Sequence, residues 1–231
     1  MNTACSNRTE HTERTRQEIL HAALRLFATR GYAGTSTQVI VKTAQVAKPV
    51  LYYHFGNKAG LFQAVIDEID NRLLGLILAS EAEAANAPGQ LVAICAAVFR
   101  FTCDHPEVME LVVDLLLEAR RQELPGKHSL GKAHQRLAVI RKIMGQGMRE
   151  GTLRDQFNSR LLAVGFLGMI HFHVLFRLAN PRYPLTRRTA EHAVTLFLAG
   201  AATGKSKHPC PTQTRHRKVP QANRSGYDEP K

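Results

Sequence analysis

The chain has 231 residues, 44% of them hydrophobic, which is enough to bury a core in one medium or two small domains and excludes a wholly disordered chain. It carries 31 Lys and Arg against 19 Asp and Glu, a net charge of +12, so an anionic partner is expected, either nucleic acid or a membrane surface. The four cysteines, Cys5, Cys95, Cys103 and Cys210, form no CxxC pair and read as incidental thiols of a reducing compartment.

The charge sits at the two ends. Residues 1–58 are +5, residues 59–204 only +2, and residues 205–231 again +5. A near-neutral middle fits a domain that packs and binds something other than phosphate. The N-terminus is polar, without a signal-peptide core. No apolar run approaches the roughly 20 residues of a membrane span. The longest, 161–178, is interrupted by His171, His173 and Arg177. The expectation is a soluble, cytoplasmic chain with no membrane partner.

In chain order, residues 1–12 are polar and expected as a disordered arm. Thr15-Arg16-Gln17-Glu18 then matches a capping box. It precedes Ile19, Ala22, Ala23, Leu26 and Phe27, whose spacing places all five on one helical face. Gly31 stops that helix. Thr35-Ser36 caps a second, short helix ending near Thr43. A third runs from Lys48 to about His54, with Pro49 tolerated in the first turn. Gly56 breaks it, and Asn57 caps a long fourth helix carrying Phe62, Val65, Ile66, Ile69 and Leu73. Further helices are expected at 90–103, 106–121, 130–149, 159–178 and 186–202, separated by proline and glycine turn signals. The fold class is all-α, about nine helices, with no strand. Residues 205–231 interleave prolines with basic and polar residues and are expected as a basic disordered tail.

Three short helices within about 45 residues, the last two joined by a tight turn, describe a helix-turn-helix. Gly31, Tyr32, Thr35, Ser36, Ile40, Ala44 and Val46, then LYYHF at 51–55, Asn57-Lys58 and Leu61-Phe62, resemble the TetR family pattern. The resemblance covers residues 13–73, with the helix-turn-helix at about 36–55. It implies a DNA-binding domain there, followed at 74–204 by a helical ligand-binding and dimerisation domain.

The resemblance further implies that Thr35, Tyr53 and Lys58 contact phosphates. Ser36, Thr37, Gln38, Lys48, Pro49, Val50, Tyr52 and His54 are the other expected DNA-facing residues. Gln38 and Lys48 have the donors to read base edges, and Pro49 or Val50 can touch a thymine methyl. Tyr52 is equally compatible with a core position. Two positions depart from the family pattern. The inter-helix turn has Gln45 where glycine is common, a cost of about 1 kcal/mol if the turn needs positive φ. The third helix begins after Ala47, which lacks the capping hydroxyl worth about 1 kcal/mol.

Residues 161–178 are apolar almost all round, with Gly165 and Gly168 permitting close approach. Together with 186–202 they suit a homodimer interface that includes Phe166, Gly168, Ile170 and Phe197. A pocket for a small hydrophobic effector is expected from Phe99, Met109, Leu116, Ile140, Met144, Phe166 and His173, residues that would otherwise be solid core. The expected function is a transcriptional repressor released from double-stranded palindromic operator DNA by that effector.

No cofactor, metal site or enzymatic activity is expected. GAATGKS at 200–206 and GQGMREG at 145–151 only approximate nucleotide-binding loops and follow no strand. His171 and His173, two apart on a helix, diverge by about 200° and do not chelate as a pair. HExxH and GxSxG motifs are missing.

Overall fold

The computed structural model describes residues 3–118 and 131–201, with side chains for 10–115 and 133–200. Nine α-helices and no β-strand form among them. The tail at 205–231, the ends of the helices expected at 106–121 and 186–202, and the Leu116 side chain lie outside the described residues.

Helix α1 (Thr3–Arg30) starts well before the capping box, within the expected arm. No glycine or proline interrupts residues 3–30, and Thr15 donates its hydroxyl to the His11 carbonyl at 3.0 Å. That bond belongs to a helix interior, so Thr15 is not a start signal. All five stripe residues are buried, and so are Leu20 and Leu24, because α1 packs on α6 as well as on α4. Gly31, at φ +69°, ends the helix.

Helices α2 (Thr37–Thr43) and α3 (Lys48–Phe55) follow as expected. Helix α4 (Lys58–Glu81) opens on Asn57, whose Oδ1 accepts the Gly60 N–H at 2.8 Å. It runs eight residues past the expected domain boundary at 73 and carries Ile77 into the core. One helix therefore belongs to both halves, and a single hydrophobic cluster extends through them. Asp70 pairs with Arg136, and Glu81 pairs with Lys142 at 2.8 Å, tying α4 to α7 (Gly131–Arg149).

The C-terminal half is completed by α5 (Ala87–Asp104), α6 (Pro106–Glu118), α8 (Ser159–Ala179) and α9 (Arg187–Ala201). The approximate nucleotide loop at 145–151 falls at the close of α7, and Gly200 and Ala201 of the one at 200–206 belong to α9, its other residues lying outside the described ones. By length and composition α8 would serve as a membrane span, contrary to the sequence expectation. In this fold it packs on α5, α6, α7 and α9, burying Leu162, Phe166, Ile170 and Val174.

That packing also corrects the expected interface. Phe166 and Ile170 are buried within the chain, and Phe197 meets Phe166 edge-on at 5.7 Å. The large apolar residues left exposed on α8 are Leu161, Val164, Phe172, Leu175 and Phe176, with Leu196 on α9. Their spacing along α8 forms a stripe through Gly168, the one expected interface residue on that face.

Candidate nucleic-acid interface

The head is built so that α3 has one committed and one free side. Leu51 is fully buried and Phe55 packs on the core cluster. At 100° per residue, Pro49 and Tyr53 lie roughly opposite them. Both are exposed, Tyr53 by 80%. Lys48 and Tyr52 share a neighbouring stripe, and the Lys48 Nζ sits 5.9 Å from the Tyr52 ring centroid. Tyr52 is thus a surface residue, 39% exposed, which settles its open assignment. His54 is half-buried, with its ring 5.1 Å from Tyr53 and 6.0 Å from Phe55. Val50 is half-buried against the core, so it presents less surface than expected.

On α2, Gln38 is exposed and Thr37 half-buried. Ser36 is the N-cap, its Oγ accepting the Val39 N–H at 3.3 Å. Thr35 departs from expectation. It is 1% exposed, and its hydroxyl faces the carbonyls of Leu26 at 3.1 Å and Gly31 at 2.8 Å. Both carbonyls lie at the end of α1, so Thr35 fastens α1 to α2 and its side chain is closed off from a phosphate.

Lys58 stands in the first turn of α4, with Nζ 4.1 Å above the Tyr32 ring. Tyr32 in turn rests on Phe62, at 4.8 Å, and burial raises its hydroxyl above the ordinary tyrosine range. A cation on an aromatic face at a helix N-terminus holds positive charge where unpaired N–H groups already favour an anion. The supporting role of Tyr32 is invisible in the sequence, where an aromatic after glycine reads only as core. Arg16, 5.5 Å from the Phe55 ring, braces α3 from α1 and carried no sequence signal either.

Between α2 and α3 the chain makes a helix-ending turn. Val46 N–H donates to the Val41 carbonyl at 3.0 Å and Gln45 N–H to that of Lys42 at 3.4 Å. This paired pattern requires a left-handed residue between them. Gln45 supplies it at φ +55°, and it is the one non-glycine at positive φ among the described residues. Ala47 makes no side-chain cap, and Pro49 follows in the first turn of α3. Both local costs read from the sequence are therefore present.

The expected effector residues lie elsewhere, in the C-terminal half. Phe99, Met109, Ile140, Met144 and Phe166 are all at most 2% exposed, in closed packing. His173 Nδ1 is 2.6 Å from the Tyr183 hydroxyl, and its ring is 5.5 Å from Phe99. His171 is exposed, so the two histidines diverge as expected. Two open cavities have other linings. One, of about 530 Å³, lies between α1 and the end of α2, beside Arg14, His21, Arg25 and Gln45. The other, of about 290 Å³, lies along α5.

Comparison with known proteins agrees with this geometry. Residues 19–65 match the model of bacterial regulatory proteins of the tetR family. The transcriptional repressor NicS of Pseudomonas putida is 26% identical over 151 residues, 64% of this chain and 70% of that protein. The transcriptional regulator TtgR of Pseudomonas putida is 31% identical over 115 residues, and there the chain spans about half the length of its relative, 49%. The fold is shared with the transcriptional regulator FadR of Bacillus subtilis, solved in complex with stearoyl-CoA. That match has a TM-score of 0.71 at 20% identity, covering 80% of this chain and 98% of that one. An all-helical fold is what the chain shares with the solved structure, and its head, residues 19–65, is that of the tetR family of bacterial regulatory proteins.

Proposed function

We propose that the chain is a sequence-specific DNA-binding transcriptional repressor, released from a palindromic operator by a small hydrophobic effector. The observation that carries the DNA-binding reading is the free side of α3. Tyr53, Pro49, Lys48 and Tyr52 project from a helix whose other side is locked by Leu51. A short helix presented in this way fits the major groove, where Lys48 reads a base edge and the tyrosine hydroxyls meet phosphate or base. Lys58 adds a phosphate contact at the start of α4, and Gln38 approaches from α2. Thr35 contributes only by holding α2 in place.

The palindrome follows from a two-fold dimer. The exposed stripe of α8 with Leu196 on α9 gives each copy an apolar face suited to a four-helix interface. Two heads so joined present α3 and its symmetry mate to successive major grooves, about 34–36 Å apart. The effector would enter the closed core around Phe99, Met144 and Phe166, with His173 and Tyr183 as its polar edge. A ligand wedged there would move α7 against α4 through Asp70–Arg136 and Glu81–Lys142, altering the spacing of the heads. Affinity for the operator then falls by linkage. Support for an apolar effector is the core's composition; FadR, sharing the fold, was solved with an acyl-CoA.

The test is a mobility-shift assay on the chain's own upstream region. Retarded DNA that survives excess random competitor is expected, and Lys48→Ala should weaken the operator complex selectively. Indistinguishable binding of operator and random DNA would exclude the reading.

A further inference from the structure

We propose that the cleft along α5 binds a small linear zwitterion, a molecule with a carboxylate at one end and an ammonium at the other. The cleft has a volume of about 290 Å³ and is lined by Glu83, Ala93, Ala96, Ala97, Arg100, Cys103, Leu185 and Arg187. None of the residues of the closed effector core lines it, so it is a second site.

Its floor and its ends differ in chemistry. Ala93, Ala96, Ala97, Arg100 and Cys103 recur every three or four residues and form one stripe of α5, turned away from the core face of Leu91, Ile94, Cys95 and Val98. The alanines leave an apolar trough between α5 and the start of α9. Glu83 stands at the Ala93 end. Its turn is fixed there by Gln90, whose Nε2 donates to the Ala84 carbonyl at 3.1 Å. The other end is cationic. Arg100 lies one turn before Cys103, and the Cys103 thiol approaches the Leu185 carbonyl at 3.9 Å, placing Arg187 beside them.

From Ala93 to Arg100 is seven residues, about 10 Å of helix. The cleft is therefore an apolar trough with an acid at one end and two guanidiniums at the other. Glu83 and Arg100 make no ion pair with another described residue. Arg187 pairs through Nε with Glu191 at 3.2 Å, an exposed contact of small worth that leaves its remaining N–H groups free. A carboxylate across Arg100 and Arg187 gains a guanidinium fork, the alanines accept a methylene chain, and Glu83 receives the ammonium. Arg187 is also nine residues from Leu196, half a turn round α9, so the proposed dimer face leaves this side free.

The test is isothermal titration of the intact chain with 6-aminohexanoate and with hexanoate. One saturable site per chain is expected for 6-aminohexanoate, with Kd below about 1 mM. Hexanoate, lacking the ammonium, should bind severalfold more weakly. Arg100→Gln should weaken both probes by about tenfold or more, the loss of one charge-assisted hydrogen bond. Glu83→Gln should bring 6-aminohexanoate down to the affinity of hexanoate. Ala96→Leu, which fills the trough, should abolish both, with an unchanged melting temperature showing that the fold is kept. Equal affinity of the two probes for the unmodified chain would overturn the zwitterion. Binding indifferent to both Arg100→Gln and Ala96→Leu would overturn the site, as would no saturable heat up to about 10 mM.

Discussion

Helices α3 and α8 both show large side chains to solvent, for opposite reasons. On α3 the exposed residues are amphipathic, Tyr52 and Tyr53 beside Lys48, on a helix of only eight residues fixed by one buried leucine. On α8 they are aliphatic or phenyl, on 21 residues whose other side is deep core. A tyrosine pair with a cation suits a polar, charged groove that must be entered and left. A stripe of Leu, Val and Phe suits a permanent cover. The same measure, exposure of a large residue, thus supports the proposed reading site on one helix and the proposed assembly site on the other.

The largest expected effect comes from breaking the cover. Phe172→Glu removes a phenyl group that would contribute about 1.5–3 kcal/mol per copy, counted twice across a two-fold axis, and places two charges in the interface. Sedimentation should find the unmodified chain dimeric at micromolar concentration and the variant monomeric. A dimeric variant would remove α8 from the interface.

Next in size is Phe99→Ala in the closed core. A fully buried phenylalanine lost to alanine costs about 3–5 kcal/mol, read as a shift in the denaturant midpoint. The same variant probes the effector proposal, because the cavity it leaves should bind a small aromatic molecule that the unmodified chain admits only on opening. A loss under 1 kcal/mol would mean that the site is less tightly packed than the structure shows.

On α3, Lys48→Ala should reduce the operator-to-random affinity ratio by about 1–3 kcal/mol if the side chain reads a base, while leaving thermal stability unchanged. An equal loss on both DNAs would make Lys48 a phosphate contact. Smaller still are the two local costs before α3. Gln45→Gly relieves a left-handed side chain, and Ala47→Ser restores a cap. Each should raise stability by up to about 1 kcal/mol, measured as a higher melting temperature. If α3 orders on meeting DNA, the pair should also tighten operator and random DNA alike.

The head was readable because its signals are local. Ser36, Asn57, Gly31 and Gly56 punctuate helices as their chemistry requires, and the LYYHF run marks α3. Even the strain at Gln45 was visible, because only the turn geometry was missing. Thr35 was misjudged since a threonine before a helix looks like a cap or a phosphate ligand. Only the fold brings the carbonyls of Leu26 and Gly31 to its hydroxyl. In the C-terminal half the information is non-local. The helices were located to within a few residues, but which face of α8 is inside depends on α5, α6, α7 and α9 together. Phe166 and Ile170 were therefore placed in the dimer interface, Phe166 in the effector pocket as well, and Phe172 was not named. The α5 cleft was invisible for the same reason, as it joins residues a hundred positions apart.

The most direct test joins the two helices in one experiment. Fluorescence anisotropy would compare an operator palindrome with one of its half-sites, at one salt concentration, for the unmodified chain and for Phe172→Glu. The unmodified chain should strongly prefer the palindrome, and the monomeric variant should bind both alike and weakly, if the α8 face joins two copies whose α3 helices read DNA together. Undiminished palindrome binding by a variant shown to be monomeric would contradict that arrangement.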